Sequence, residues 1–214
     1  MMDSVQLWLA TPDAAQHFDP AELTDEERER MARLRREVRR KEFAVSRALR
    51  SHARRVAPSP VSESMSHSGG YAALALARVR PVLRLGVDLE LHQARRRLEA
   101  ASTVLTKSEV RALEAAPDSE REHLFYAIWT VKEALAKVLQ LPLMEALSSC
   151  EVVVDGPEWQ VRAPMSEAGG VVLYQPRADL TLAVAWIGAK LPIETWNWPP
   201  QRPASWPLIA AISL

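Results

Sequence analysis

The chain has 214 residues, 48% hydrophobic and 25% charged, the balance of a soluble globular protein with a substantial core. Its 27 basic and 27 acidic residues cancel, which argues against a general polyanion binder. A single cysteine, Cys150, can form no internal disulfide, as expected of a protein in a reducing cytosol.

Met1-Met2-Asp3-Ser4 lacks the basic start of a signal peptide, and the apolar stretch from Val5 to Ala10 is too short for its core. The longest apolar run, Tyr71 to Ala77, is far below the roughly 20 residues that cross a bilayer. A cytoplasmic location without a membrane partner is expected. Val5-Gln6-Leu7-Trp8-Leu9 reads as a strand. Thr24 then predicts a helix N-cap, with Glu27 completing a capping box. Met31, Leu34, Val38, Val45 and Leu49 predict one helical stripe, running to about Ala53 and stopping before Pro58. From Glu26 to Arg55 this segment holds twelve Arg or Lys against five Glu, a bias suited to phosphates or an acidic protein surface, or to a solvated helix face.

A turn at Pro58-Ser59-Pro60 precedes two predicted strands, 70–77 and 82–90. The second alternates: Leu83, Leu85, Val87 and Leu89 should face a core, while Gly86, Asp88 and Glu90 share the other face. Thr106 caps a further helix. A longer one from about Ser119 to Gln140 carries Leu124, Ile128, Val131, Leu135 and Val138 on one stripe. Strands return at Cys150 to Val154, Trp159 to Ala163, Val171 to Tyr174 and Leu180 to Ile187. The tail from about Lys190, with Trp196, Trp198 and Trp206, has no clear period and is expected as an extended strap on the body. The order predicts an α+β chain whose halves are alike in layout: residues 1–80, residues 81–189, and the tail 190–214.

Three features carry chemistry. Asp88 and Glu90, at i and i+2 of a strand, point the same way, and like charges so close favour a cation between them. Hard carboxylate oxygens suit magnesium; an acidic solvent face is the plain alternative. Trp129, Glu133 and Lys137 follow one another at i,i+4 on a helix stripe, so Glu133 could complete a metal site and Lys137 hold a phosphate oxygen; a wet Glu–Lys pair is the alternative. Ser66-His67-Ser68-Gly69-Gly70 could cradle a phosphate or be a hairpin loop.

Together and in this order, Ser-His-Ser-Gly, Gly-Val-Asp-Leu-Glu and Trp-x-x-Lys-Glu-Ala-x-x-Lys closely resemble the motif set of the phosphopantetheinyl transferases. The segment Phe43 to Arg50 resembles the N-terminal half of the larger, two-half type named for the surfactin synthetase activator. The resemblance implies a pseudo-dimer of two similar α/β halves with coenzyme A in the cleft between them, and so a monomer. It implies transfer of the 4′-phosphopantetheine arm of coenzyme A to a serine of an apo acyl or peptidyl carrier protein, releasing adenosine 3′,5′-bisphosphate. Asp88, Glu90 and Glu133 would hold Mg2+, with Mn2+ the other candidate. Ser66 and His67 would meet coenzyme A phosphates, Lys137 would steady the pyrophosphate, and Arg47 would hold the 3′-phosphate. Glu133, as base, and Lys137 would be the catalytic residues. Polyketide, non-ribosomal peptide and fatty-acid carriers all remain open.

The pattern departs from the family between Arg50 and Ser66, where a usual Gly-Lys-Pro segment is missing and Arg54 and Arg55 are the available substitutes; Ser64 replaces an Asn often found there. A degenerate homologue that binds coenzyme A or a carrier without catalysis is the main rival, but the kept acidic cluster argues against it. No Walker-type loop supports another phosphotransferase, and the basic helix lacks the aromatic platform of a nucleic-acid binder.

Overall fold

The computed structural model describes residues 4–57, 62–78, 84–92, 101–156 and 158–214. The turn expected at Pro58 to Pro60, and Val82 and Leu83 of the expected strand, lie outside them. The fold is α+β, as the element order implied. Strands β1 (Val5–Ala10), β2 (Ser62–Ser68) and β3 (Tyr71–Ala77) belong to one sheet, and β4 (Arg84–Leu91), β7 (Gly169–Arg177) and β8 (Leu180–Ile187) to a second. The strands β5 (Glu151–Asp155) and β6 (Glu158–Arg162) form a separate hairpin.

Side-chain alternation stacks these parts into layers. Val5, Leu7 and Leu9 of β1 pack with Leu85, Val87 and Leu89 of β4 and Leu182 and Val184 of β8, so the two sheets share one core. The other face of β1, with Trp8 and Ala10, meets Val45, Ala48 and Leu49 of helix α2 (Glu37–Val56). The outer face of the second sheet meets helix α5 (Asp118–Leu139) through Ile128, Val131 and Leu135. Strands buried on both faces read as near-continuous apolar runs, which is why Tyr71 to Ala77 looks unbroken in sequence.

The predicted long N-terminal helix is two helices. The Thr24–Glu27 capping box opens α1 (Asp25–Arg33), which ends at Leu34, and α2 starts after Arg36. Leu34 and Arg36 both adopt extended backbone. The single stripe expected from Met31 to Leu49 is therefore broken, and Val38 is 65% exposed instead of facing the core. The break is what folds α1 back onto α2. In one unbroken helix Glu27 and Arg47 would stand about 30 Å apart; here Glu27 Oε1 is 2.7 Å from Arg47 Nε and 3.0 Å from Arg50 Nη1.

The C-terminal segment, expected as a strap, is mostly strand. Strand β9 (Ile193–Trp198) runs parallel to β1, the short β10 (Arg202–Pro203) pairs with β9, and β11 (Leu208–Ser213) pairs with β7. One tail thus adds strands to both sheets. Its indoles are packed: Trp196 stacks on Trp8, Trp198 on His52, and Trp206 donates to Asn197. Among the described residues no helix is long and apolar enough to cross a membrane.

Helix α4 (Lys107–Ala115) carries the Thr106–Glu109 capping box, and it ties the second half together from inside. Glu109 and Lys132 of α5 are 0% exposed and joined at 2.7 and 3.0 Å. The same carboxylate accepts the backbone N–H groups of Val152 and Thr106. A buried charge left alone is costly, so Lys132→Met should lose about 3–5 kcal/mol of stability. Pairing it with Glu109→Gln, which keeps an amide oxygen for Val152 N–H, should recover much of that loss; urea unfolding midpoints of the single and double variants check both expectations.

Candidate metal and phosphate site

Strand β4 and helix α5 touch at Gly86. A Cβ there would lie 2.1 Å from the Ala134 carbonyl oxygen and 2.7 Å from Val138 N, so only glycine lets the helix backbone come this close. Asp88 and Glu90 share the Gly86 face of β4 by strand alternation. Glu133 and Lys137 share one face of α5 by helical spacing. The close crossing brings the two pairs together. Asp88 is 1% and Glu90 7% exposed, so neither belongs to a wet acidic edge.

Strand β2 supplies the third wall. The edges β2 and β4 run side by side, joined through serine hydroxyls at every second position of β2. Ser64 Oγ accepts Val87 N–H at 2.9 Å, Ser66 Oγ donates to Asp88 Oδ1 at 2.8 Å, and Ser68 Oγ donates to Glu90 Oε2 at 2.9 Å. The alternate residues Glu63, Met65 and His67 face α2, where Glu63 pairs with Arg54 and Met65 Sδ lies 3.9 Å from Arg47 Nη1. The Ser66–Ser68 segment is thus strand, followed by a tight turn at Gly69 and Gly70, both with positive φ. Ser66 and His67 point to opposite sides of it rather than into one phosphate-cradling loop. His67 Nδ1 stands 3.7 Å from Glu42 Oε2, and burial holds its pKa below the usual imidazole value.

Asp88, Glu90 and Glu133 each offer a carboxylate oxygen, and the three lie within 4.8 Å of one another. Glu90 Oε1 accepts from Trp129 Nε1 at 3.1 Å. Lys137 Nζ donates to Asp88 Oδ1 at 2.9 Å and to Val87 O at 2.7 Å, which uses two of its three protons. With every carboxylate ionised, Asp88 Oδ2 is buried without a donor. Glu133 is pushed up to about 8, first by burial and then by the charge of Asp88, against the pull of Lys137. Glu90 and a hydrogen bond to Asp88 add to the rise. A buried carboxylate oxygen that only a neighbour's proton can serve, beside a carboxyl held protonated by burial and like charges, makes a site able to take a cation. Magnesium with oxygens at about 2.1 Å spaces them roughly 3–4 Å apart, so a small contraction of this trio fits it.

A second feature lies along α1 and α2. A cleft of about 370 Å³ is lined by Arg30, Arg47, Arg50, Arg54, Glu27 and Phe18, among others. Arg47, Arg50 and Arg54 share one face of α2 by their i, i+3, i+7 spacing, a signal present in the sequence that adds Arg50 to the expected Arg47 and Arg54. Arg47 is held by Glu27 and covers the Phe43 ring at 4.6 Å, and burial works against its charge. Arg54 lines the cleft and pairs with Glu63 at 2.8 Å, and Arg55 is paired with Glu22 at 2.7 Å. Of the other helix arginines, Arg30 reaches the cleft, and Arg28 and Arg33 make surface pairs with Asp25 and Glu29.

Residues 84–166 match the family model of the 4′-phosphopantetheinyl transferase superfamily. No curated protein matches the chain. The matched segment includes Asp88, Glu90, Glu133 and Lys137.

The raised Glu133 carboxyl sets a pH dependence for the metal-free protein. Its folded value of about 8 lies above the ordinary 4.5, so its contribution to stability is full below about 4.5 and is lost as pH rises through about 8. Thermal melts should therefore give a lower Tm at pH 9 than at pH 6, and Glu133→Gln should remove most of that difference. An unchanged pH profile in the variant would show that another group causes it.

Proposed function

Since residues 84–166 carry the signature of the 4′-phosphopantetheinyl transferase superfamily, we propose that the chain transfers phosphopantetheine from coenzyme A to the serine of an apo acyl or peptidyl carrier protein. Adenosine 3′,5′-bisphosphate is the leaving product. The observation that carries this reading is the convergence of Asp88 and Glu90, both buried, with half-buried Glu133, their oxygens within 4.8 Å of one another. Mg2+ is the proposed metal, and Mn2+ would serve the same ligands. When bound, the ion neutralises charge on the pyrophosphate and stabilises the leaving phosphate.

The protein side chains divide the remaining work. Arg47, Arg50 and Arg54 offer cationic donors for the adenosine 3′-phosphate, once Glu27 and Glu63 yield their places. Lys137, anchored to Val87 O and Asp88, keeps one proton for a pyrophosphate oxygen. Glu133 takes the proton of the attacking serine hydroxyl; burial and two neighbouring carboxylates give it the basicity that a weak nucleophile needs. Ser66, whose proton is committed to Asp88, contributes by holding that carboxylate, and neutral His67 can still offer one N–H toward the cofactor.

The same reading covers the architecture. Residues 1–80 and 81–189 form the two halves of a pseudo-dimer, each a sheet backed by one long helix, with the β2–β4 seam as the cleft for coenzyme A. The protein would act as a cytoplasmic monomer. Basic α2 would attract an acidic carrier from polyketide, non-ribosomal peptide or fatty-acid synthesis. The non-catalytic alternative keeps coenzyme A binding without transfer.

Intact-mass spectrometry of an apo carrier incubated with the protein, coenzyme A and Mg2+ tests the proposal. A gain of one phosphopantetheine that vanishes with EDTA or with Asp88→Ala is the expected result. No gain on carriers from all three pathways, with the protein folded and binding coenzyme A, would support the non-catalytic reading. Glu133→Gln should lower kcat by about 10²–10⁴-fold with a much smaller effect on coenzyme A binding, as removal of a general base does. Equal losses in both would leave Glu133 as a ligand only.

A further inference from the structure

The proposed ligands differ in how the protein holds them, and Glu90 is held on both oxygens. Trp129 Nε1 donates to Oε1 at 3.1 Å and Ser68 Oγ to Oε2 at 2.9 Å. The Ser68 hydroxyl is itself oriented, because it accepts Leu91 N–H at 3.2 Å. A hydroxyl has one proton, and with its lone pair turned to Leu91 that proton is directed at the carboxylate. Ser68 also sits at the last position of β2, fixed by the turn after it: a Cβ on Gly69 would lie 2.2 Å from Leu91 Cδ2, so turn and strand end are packed directly on β4.

We infer that Ser68 is a positioning residue, whose hydroxyl, with the Trp129 indole, holds the Glu90 carboxylate in place to receive a divalent cation beside Asp88 and Glu133. The inference rests on the metal reading of that trio. Its physical basis is repulsion: three carboxylates with oxygens within 4.8 Å drive one another apart unless donors hold them. Asp88 is held by Ser66 and Lys137. Glu90 has the longer side chain and more rotamers to escape through, and two donors from different elements, β2 and α5, fix it. Removing such an outer donor leaves the ligand present but no longer pre-arranged, which weakens the metal rather than the chemistry.

The test uses Mn2+ alone, without coenzyme A or carrier, followed by the electron paramagnetic resonance signal of free Mn2+ on wild type, Ser68→Ala and Ser68→Thr. Ser68→Ala should raise the Mn2+ Kd about 10-fold or more, and Ser68→Thr, which keeps the hydroxyl and suits a strand, should restore binding. In the transfer assay Ser68→Ala should raise the Mg2+ needed for half-maximal rate while kcat at saturating Mg2+ stays close to wild type. A purely structural serine would instead lower Tm and leave the Mn2+ Kd unmoved. If Ser68→Ala does not fold, Trp129→Phe removes the other donor and should shift the Kd in the same direction. Wild-type affinity in the folded variant, or a loss that Thr does not restore, overturns the role of Ser68 and leaves the trio intact. Wild-type protein that binds no Mn2+ overturns the metal reading and this inference with it.

Discussion

The separation between strand β4 and helix α5 governs everything in the acidic site. Two backbones approach there without a side chain between them, because Gly86 leaves room for the Ala134 carbonyl that a Cβ would strike. From that contact the positions of Asp88 and Glu90 follow by strand period and those of Glu133 and Lys137 by helix period. A wider crossing would leave the same four charged residues in separate solvated surfaces. The burial of Asp88 and Glu90, and with it the raised carboxyl pKa of Glu133, is a consequence of a helix fitted tightly against a strand.

Charge in the interior is handled in two ways. Lys132 and Glu109 neutralise each other and satisfy two backbone N–H groups, so that site is closed and asks for nothing more. One residue along, Glu133 faces two further carboxylates with a single ammonium nearby, so its site is short of positive charge. Consecutive residues of one helix therefore serve opposite ends. One clamps α5 to α4 and β5, and its neighbour is kept unsatisfied where a ligand can relieve it. The arginines of α2 follow the first pattern: Arg47, Arg50 and Arg54 are each matched by a carboxylate, of Glu27 or Glu63.

Much of this was legible in the residues. Period two from Leu85 to Glu90 and the i,i+4 run Trp129, Glu133, Lys137 mark the residues that meet in the acidic site, and both capping boxes are visible as Thr-x-x-Glu. What stayed hidden was the partnering. A run of alternating serines in β2 looks like a polar loop in one dimension; it becomes a row of inter-strand bonds only once β4 lies beside it. The break between α1 and α2 carries no proline or glycine, and a helical stripe could be drawn through it; the long-range pairing of Glu27 with Arg47 and Arg50 overrides that local preference. The tail's strands stayed hidden because Trp196, Trp198 and their neighbours pack on β1, 188 residues earlier in the chain, a pairing no local pattern announces.

The placement of β9 and β11 also has a meaning for synthesis. Strand β1 takes as its parallel neighbour β9, which follows it by 188 residues, and β7 takes the later strand β11 in the other sheet. Both sheets therefore keep an open edge, on β1 and on β7, until residues 193–213 have been made. Residues 193–213 thus tie both sheets into one body, and the acidic trio sits at the seam where β2 of one sheet meets β4 of the other.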